Sequence, residues 1–98
     1  MITVGDRAEA GDIARRLVEA GLAAGAQIIP IESVYRWKGE LVDDDEWLVL
    51  VKTRQDRFEA ISSVVGEIHS YEVPPVVMIE MDHATEPYLS WIDENLTR

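Results

Sequence analysis

The sequence predicts an α+β sandwich made of two split βαβ units, with a long β-hairpin between them and a helix at the C-terminal end. Three observations lead there. Two strand-patterned runs, residues 27–37 and 41–53, meet at the turn Trp37-Lys38-Gly39-Glu40, where Gly39 suits the positive φ of a tight hairpin. An amphipathic helical pattern stands before the first run, and another after the second. Each half of the chain also repeats one order: a strand, then Asp-Arg-x-Glu (Asp6 to Glu9, Asp56 to Glu59), then a helix, then a strand.

The elements follow in chain order. Residues 1–4 form a short apolar strand. Asp6 fits a helix N-cap, and Glu9 stands at the capping-box spacing. Ala10, Ile13, Ala14, Leu17, Val18 and Gly21 recur at helical spacing, so one stripe of the first helix faces a core. Gly21 or Gly25 supplies its stop. After the hairpin, Asp56 and Glu59 repeat the cap spacing, and Phe58, Ile61, Val65 and Ile68 give the second helix its stripe. Pro74 and Pro75 place residues 71–75 in a loop, since a helix does not continue through them. Residues 76–82 read as a strand. Glu86-Pro87 opens a last helix, with proline in its first turn and Leu89, Ile92 and Leu96 facing inward. This is the ferredoxin-like plan.

The hairpin is too long and too apolar for so small a chain. Strands usually run about 5–6 residues, and these are roughly twice that. Trp47-Leu48-Val49-Leu50-Val51 is apolar on both faces, the pattern of a strand covered from both sides. One chain's helices cover one face. The strand before the turn lies at the sheet edge in this plan, in keeping with Pro30, and an apolar edge invites pairing with another chain. Edge and face together predict a closed oligomer of identical copies, with sites between subunits.

Composition narrows the function classes. Ninety-eight residues make one domain, 1–98. The absence of cysteine removes disulfides, thiolate metal sites and thiol nucleophiles. The N-terminus lacks a signal-peptide pattern and no run approaches a membrane span, so a soluble cytoplasmic protein without a membrane partner is expected. With 19 acidic and 9 basic residues the formal charge is −10. Such a surface repels phosphate backbones, which argues against nucleic acid and against a base-stacking RNA-binding sheet. The run Asp43-Asp44-Asp45-Glu46 alternates faces and reads as a solvated strand start rather than a metal cage.

Several ordered segments resemble the signatures of the CutA divalent-cation tolerance family. They are Ala14-Arg15-Arg16-Leu17-Val18-Glu19 with Leu22-Ala23-Ala24, Ile28-Ile29-Pro30, Tyr35-Arg36-Trp37-Lys38-Gly39-Glu40, Val51-Lys52-Thr53, His69-Ser70-Tyr71-Glu72-Val73-Pro74 and Tyr88-Leu89-Ser90-Trp91-Ile92. The resemblance spans nearly the whole chain. It implies a ferredoxin-like subunit in a tight homotrimer similar to PII-type signalling proteins, with sheets packed inward, hairpins paired across subunits and clefts between them. It also implies a non-enzymatic binding and regulatory role in the response to divalent metals, copper(II) or another cation being the implied ligand and no cofactor being required. The sequence departs from the family pattern at Gly25, where members often carry cysteine, and at Ser70, where proline is usual. Without a thiol on the first strand, soft-ligand copper(I) binding is not expected.

His69 with Glu72 forms the candidate metal pair, because neutral imidazole and carboxylate suit Cu(II) or Zn(II). The competing reading makes His69 a helix-terminal residue that interacts with C-terminal carbonyls. Lys52 either offers a cation to an anionic ligand in a cleft or pairs with Glu72 or another carboxylate. Tyr35, Trp37, Tyr71, Tyr88 and Trp91 either line a cleft for an apolar or aromatic ligand or pack core and interface. Two other classes share this fold plan. An acylphosphatase-like hydrolase would need Arg7 as its anion-binding arginine and Asn95, the chain's one asparagine, as its water-positioning amide. A purely structural trimer would need no site.

Overall fold

The computed structural model describes residues 1–97; Arg98, included in the one-domain reading, lies outside them. The order is β1 (Ile2–Val4), α1 (Arg7–Glu19), β2 (Gly25–Trp37), β3 (Glu40–Lys52), a 3-10 turn (Gln55–Arg57), α2 (Phe58–Ile68) and α3 (Glu86–Glu94). The sheet is antiparallel in the order β1-β3-β2, so β2 with Pro30 lies at an edge, as expected. The two hairpin strands pair over their full length, from Gly25 opposite Lys52 to Trp37 opposite Glu40. Lys38 and Gly39 both have positive φ, 50° and 84°, which is the primed two-residue turn whose twist suits a hairpin. At about 3.4 Å per residue, 13-residue strands reach roughly 44 Å. The longest dimension of the subunit is also 44 Å. The hairpin therefore spans the whole molecule, and the body covers only its base.

The core lies on one sheet face. Ile2 and Val4 of β1 and Val49 of β3 meet Ala10, Ile13 and Leu17 of α1 and Ile61 and Val65 of α2. Asp6 caps α1, its carboxylate accepting from the Glu9 N–H at 3.1 Å. Val18 falls off the inward stripe and is exposed. The second cap differs from expectation: Arg57 occupies the N-cap of α2 without a side-chain bond. Asp56 sits in the 3-10 turn, where Arg54 and Arg57 hold its carboxylate at 3.6 and 2.9 Å. Two nearby guanidinium groups compete for the acid that would otherwise cap the helix. On α3 the inward line is Tyr88 and Ile92, continued by Leu96 just past the helix, packed with Ala24, and Leu89 points outward. Spacing by four from Tyr88 prevails over the expected Leu89.

Residues 76–82 do not form the expected strand. Val76 alone bridges to Ile2. The Val77 N–H donates to the Met1 carbonyl at 3.0 Å, and the Thr3 N–H to the Pro75 carbonyl at 3.3 Å. β1 is only three residues long, so its partners run out. Beyond it Val77, Ile79 and Met81 are exposed, Ile79 at 68%.

Candidate functional site

β2 and β3 alternate between two faces. Ile28, Trp47, Val49 and Val51 meet the helices. Ile29, Ile31, Ser33, Tyr35 and Trp37 of β2 share the opposite face with Glu46, Leu48 and Leu50 of β3, given the pairing Ile29 to Leu48 and Ile31 to Glu46. Among the described residues α1 and α2 leave that face uncovered, and α3 reaches it only at its base, where Trp91 lies against Gly25. At its distal half the loop after α2 comes down beside it, and together they form a cleft of about 810 Å³. Tyr35, Trp37 and Tyr71 supply aromatic walls; Glu32, Glu46 and Glu72 supply carboxylates; Thr3, Ser33 and Ser70, with the apolar Val34, Val73 and Pro75, complete it.

Glu46 lies at the centre of this arrangement. Its three acidic neighbours Asp43, Asp44 and Asp45 are exposed, whereas Glu46 is 5% exposed. The Tyr71 hydroxyl donates to its carboxylate. Burial, this hydrogen bond and the negative charge of Glu46 push the Tyr71 phenol well above its ordinary value. Partial desolvation, then the carboxylates of Asp44 and Glu46, raise the Tyr35 phenol as well; its hydroxyl donates to Asp44 at 3.4 Å. Gly5 makes room for the Tyr71 ring, since a Cβ there would stand 2.8 Å from the phenol oxygen.

The loop is fixed from below by His69 and Ser70. The Tyr71 N–H donates to His69 Nδ1 at 3.0 Å, so Nδ1 must be the unprotonated nitrogen. Nε2 then carries the proton and donates to the Thr3 carbonyl at 2.7 Å. The imidazole side chain is fully buried. Glu9 takes the Ser70 N–H at 2.6 Å and its hydroxyl at 2.8 Å. The carboxylate that the spacing assigned to a reciprocal capping box is thus spent on the loop, where two donors outcompete one.

The expected metal pair does not converge within one chain. Both nitrogens of His69 are engaged internally, and Glu72 points to Lys38 at 3.5 Å. Among the described residues no group of three or more His, Cys, Asp or Glu is poised to hold a metal ion. Lys52 lies at the other end of the hairpin, donating to Gln27 at 2.6 Å rather than pairing with Glu72; burial lowers its ammonium's affinity for the proton. Tyr88 and Trp91 stack on each other on α3, centroids 5.7 Å apart, away from the cleft that Tyr35, Trp37 and Tyr71 line. Arg7 lies over the Trp47 ring at 5.8 Å, and the Asn95 amide donates to the Trp91 carbonyl at 2.9 Å. Neither lines the cleft. Sequence reasoning missed Glu46, Thr3 and Ser70. The parity of Glu46 with Leu48 and Leu50 was the available signal for the first.

The family model of the CutA1 divalent ion tolerance protein matches residues 1–95. The chain belongs to the CutA family. The divalent-cation tolerance protein CutA of Thermus thermophilus is 42% identical over 96 residues, covering 97% of this chain and 93% of that protein. The Protein CutA homolog of Xenopus laevis is 43% identical over 86 residues, covering 87% of this chain and 57% of its own length. The chain thus spans nearly all of the bacterial relative and little more than half of the frog one. The solved structure of the Thermus thermophilus Cut A1 protein superposes with a TM-score of 0.93 at 41% identity, covering 98% of this chain and 94% of that one. A structure named as the periplasmic divalent cation tolerance protein CutA from Archaeoglobus fulgidus gives 0.93 at 37% identity, covering 96% and 92%. The Thermus and Archaeoglobus names describe divalent-cation tolerance. Among the described residues no helix is long and apolar enough to cross a membrane.

Proposed function

We propose that this CutA-family chain works as a homotrimeric binding and regulatory protein in the response to divalent cations, without chemistry of its own. The carrying observation is the uncovered sheet face. Ile29, Ile31, Leu48 and Leu50 lie opposite the helices, outside the subunit's core. Among the described residues the same subunit has two unpaired ribbons, the outer edge of β2 and the apolar segment around Ile79 and Met81, beyond the Val77 contact with Met1. Each is a hazard alone, and each is satisfied when copies pair edge to ribbon. A closed ring of such contacts is favoured over an open chain because it leaves no ribbon exposed.

Any divalent ion, Cu(II) or another, is then held between subunits rather than by His69 and Glu72 of one chain. Direct ligation by His69 would require the ring to release Thr3 or Tyr71. Calorimetric titration of Cu(II) and Zn(II) into the wild type and into His69→Ala tests this, with the oligomer monitored by light scattering. The expected result is saturable binding whose affinity survives the substitution. No saturable binding of any divalent cation by the intact oligomer would contradict the cation-response reading.

A further inference from the structure

We propose that His69 is a proton-operated catch for the loop that follows α2. Neutral, the ring holds the Tyr71 backbone; protonated, it releases Tyr71 and pairs with Glu9 instead. The groups concerned belong to one chain and the imidazole is fully buried within it, so the catch does not depend on what covers the sheet face.

Three observations carry it. The first is how the two ring nitrogens are engaged. Nε2 donates to the Thr3 carbonyl at 2.7 Å, while Nδ1 accepts from the Tyr71 N–H at 3.0 Å. A second proton therefore has one place to go, Nδ1, and there it stands donor to donor against the Tyr71 N–H. The bond lost is the one to the loop. The bond to β1 remains, and its donor becomes charged.

The second observation is a countercharge already in place. Glu9 Oε1 of α1 lies 3.9 Å from Nδ1. That oxygen accepts from the Ser70 N–H at 2.6 Å, and a carboxylate has lone pairs for a further donor. An unpaired buried imidazolium would be costly, whereas one beside Glu9 exchanges a partner on the loop for a partner on α1. The titratable groups that face the ring are Glu9 and Tyr71, the latter with its ring centroid 4.6 Å away and its phenol tied to Glu46 of β3. β1 presents only the neutral Thr3 carbonyl, and α2 the Val65 carbonyl to the His69 N–H.

Third, the loop has little else to hold its backbone. Among the described residues, the Tyr71 N–H makes the one hydrogen bond from the backbone of residues 71–74. The next bond along the chain is at Pro75, whose carbonyl accepts from the Thr3 N–H at 3.3 Å. The ring takes up its second proton as pH falls. The Tyr71 bond is thus present at higher pH and lost at lower pH, in the range where histidine side chains change charge.

Amide hydrogen exchange and ring proton–nitrogen correlation spectra test this on the full chain in its native oligomeric state, from about pH 8 to about pH 5. With exchange rates corrected for the intrinsic effect of pH, Tyr71 N–H protection is expected to fall about tenfold or more across that range. The fall should share its midpoint with the change of the two ring nitrogens from unlike to both protonated. The His69 N–H, bonded to the Val65 carbonyl at 2.8 Å, is expected to keep its protection. His69→Asn places an uncharged amide oxygen near the position of Nδ1 and should leave Tyr71 protection independent of pH. Four results each overturn the proposal: a ring that stays neutral to the acid end, Tyr71 protection that does not follow the ring, a His69→Asn variant that keeps the pH dependence, or a parallel loss at the His69 N–H, which would mean that α2 unravels. If His69→Asn does not fold, the wild-type readouts decide alone.

Discussion

Glu9 and Ser70 are joined by two hydrogen bonds, one from the Ser70 backbone N–H at 2.6 Å and one from its hydroxyl at 2.8 Å, both to the same carboxylate. Sixty-one residues apart in sequence, they tie the first turn of α1 to the loop that carries Tyr71. Bonds to a charged acceptor contribute roughly 1.5–3 kcal/mol each, and Glu9 is mostly covered. Glu9→Ala is expected to lower stability by about 2–3 kcal/mol in urea denaturation. Ser70→Pro, which has neither donor, should reproduce most of that loss. A stability within about 0.5 kcal/mol of wild type for both would show that the loop is held elsewhere.

The Tyr71 phenol is expected to titrate above its ordinary value of 10.0, because burial and its bond to Glu46 disfavour the phenolate. The proton stays on longer in the folded state than in the unfolded one. Tyr71 therefore contributes stability that is fully present below about pH 10 and declines as pH rises through the folded-state value. Phenolate absorbance should show a last-titrating component that Tyr71→Phe removes, leaving the lesser upward shift of Tyr35 in place. Persistence of that last component in the variant would assign the shifted phenol to another tyrosine.

His69 is expected to carry its proton on Nε2 whenever the ring is neutral, since Nδ1 accepts from the Tyr71 N–H. Long-range proton–nitrogen correlation spectra distinguish the tautomers directly. A proton found on Nδ1 would mean that the loop is not held as described, and would free Nε2 for a metal.

Gly5→Ala places a methyl group 2.8 Å from the Tyr71 oxygen. Tyr71 must then move, and the late phenol titration should fall back toward the ordinary value while α1 and the sheet persist by circular dichroism. An unshifted titration would mean that the ring has other room.

The hairpin was readable because alternation, the Lys38-Gly39 turn and Pro30 all agreed on it. The three helices were readable from their stripes, with errors at Val18 of α1 and Leu89 of α3, where a hydrophobic residue lay one step off the buried line. Asp56 looked like a cap because spacing does not reveal that Arg54 and Arg57 compete for it. Residues 76–82 looked like a strand because their alternation is real, but a strand needs a partner and three-residue β1 offers too few. The cleft was the least legible part. Tyr35, Trp37 and Tyr71 were singled out by type, but Tyr88 and Trp91 belong to another cluster, and Glu46 was hidden inside an acidic run. Only the pairing of β2 with β3 and the descent of the loop onto Thr3 bring Glu46 beneath Tyr71.

The proposed trimer requires identical copies to cover the sheet face that α1 and α2 leave open. Light scattering on the purified chain at micromolar concentration measures this most directly. The expected mass is three times the 11.1 kDa of one chain. A well-folded species with the mass of a single chain would contradict it.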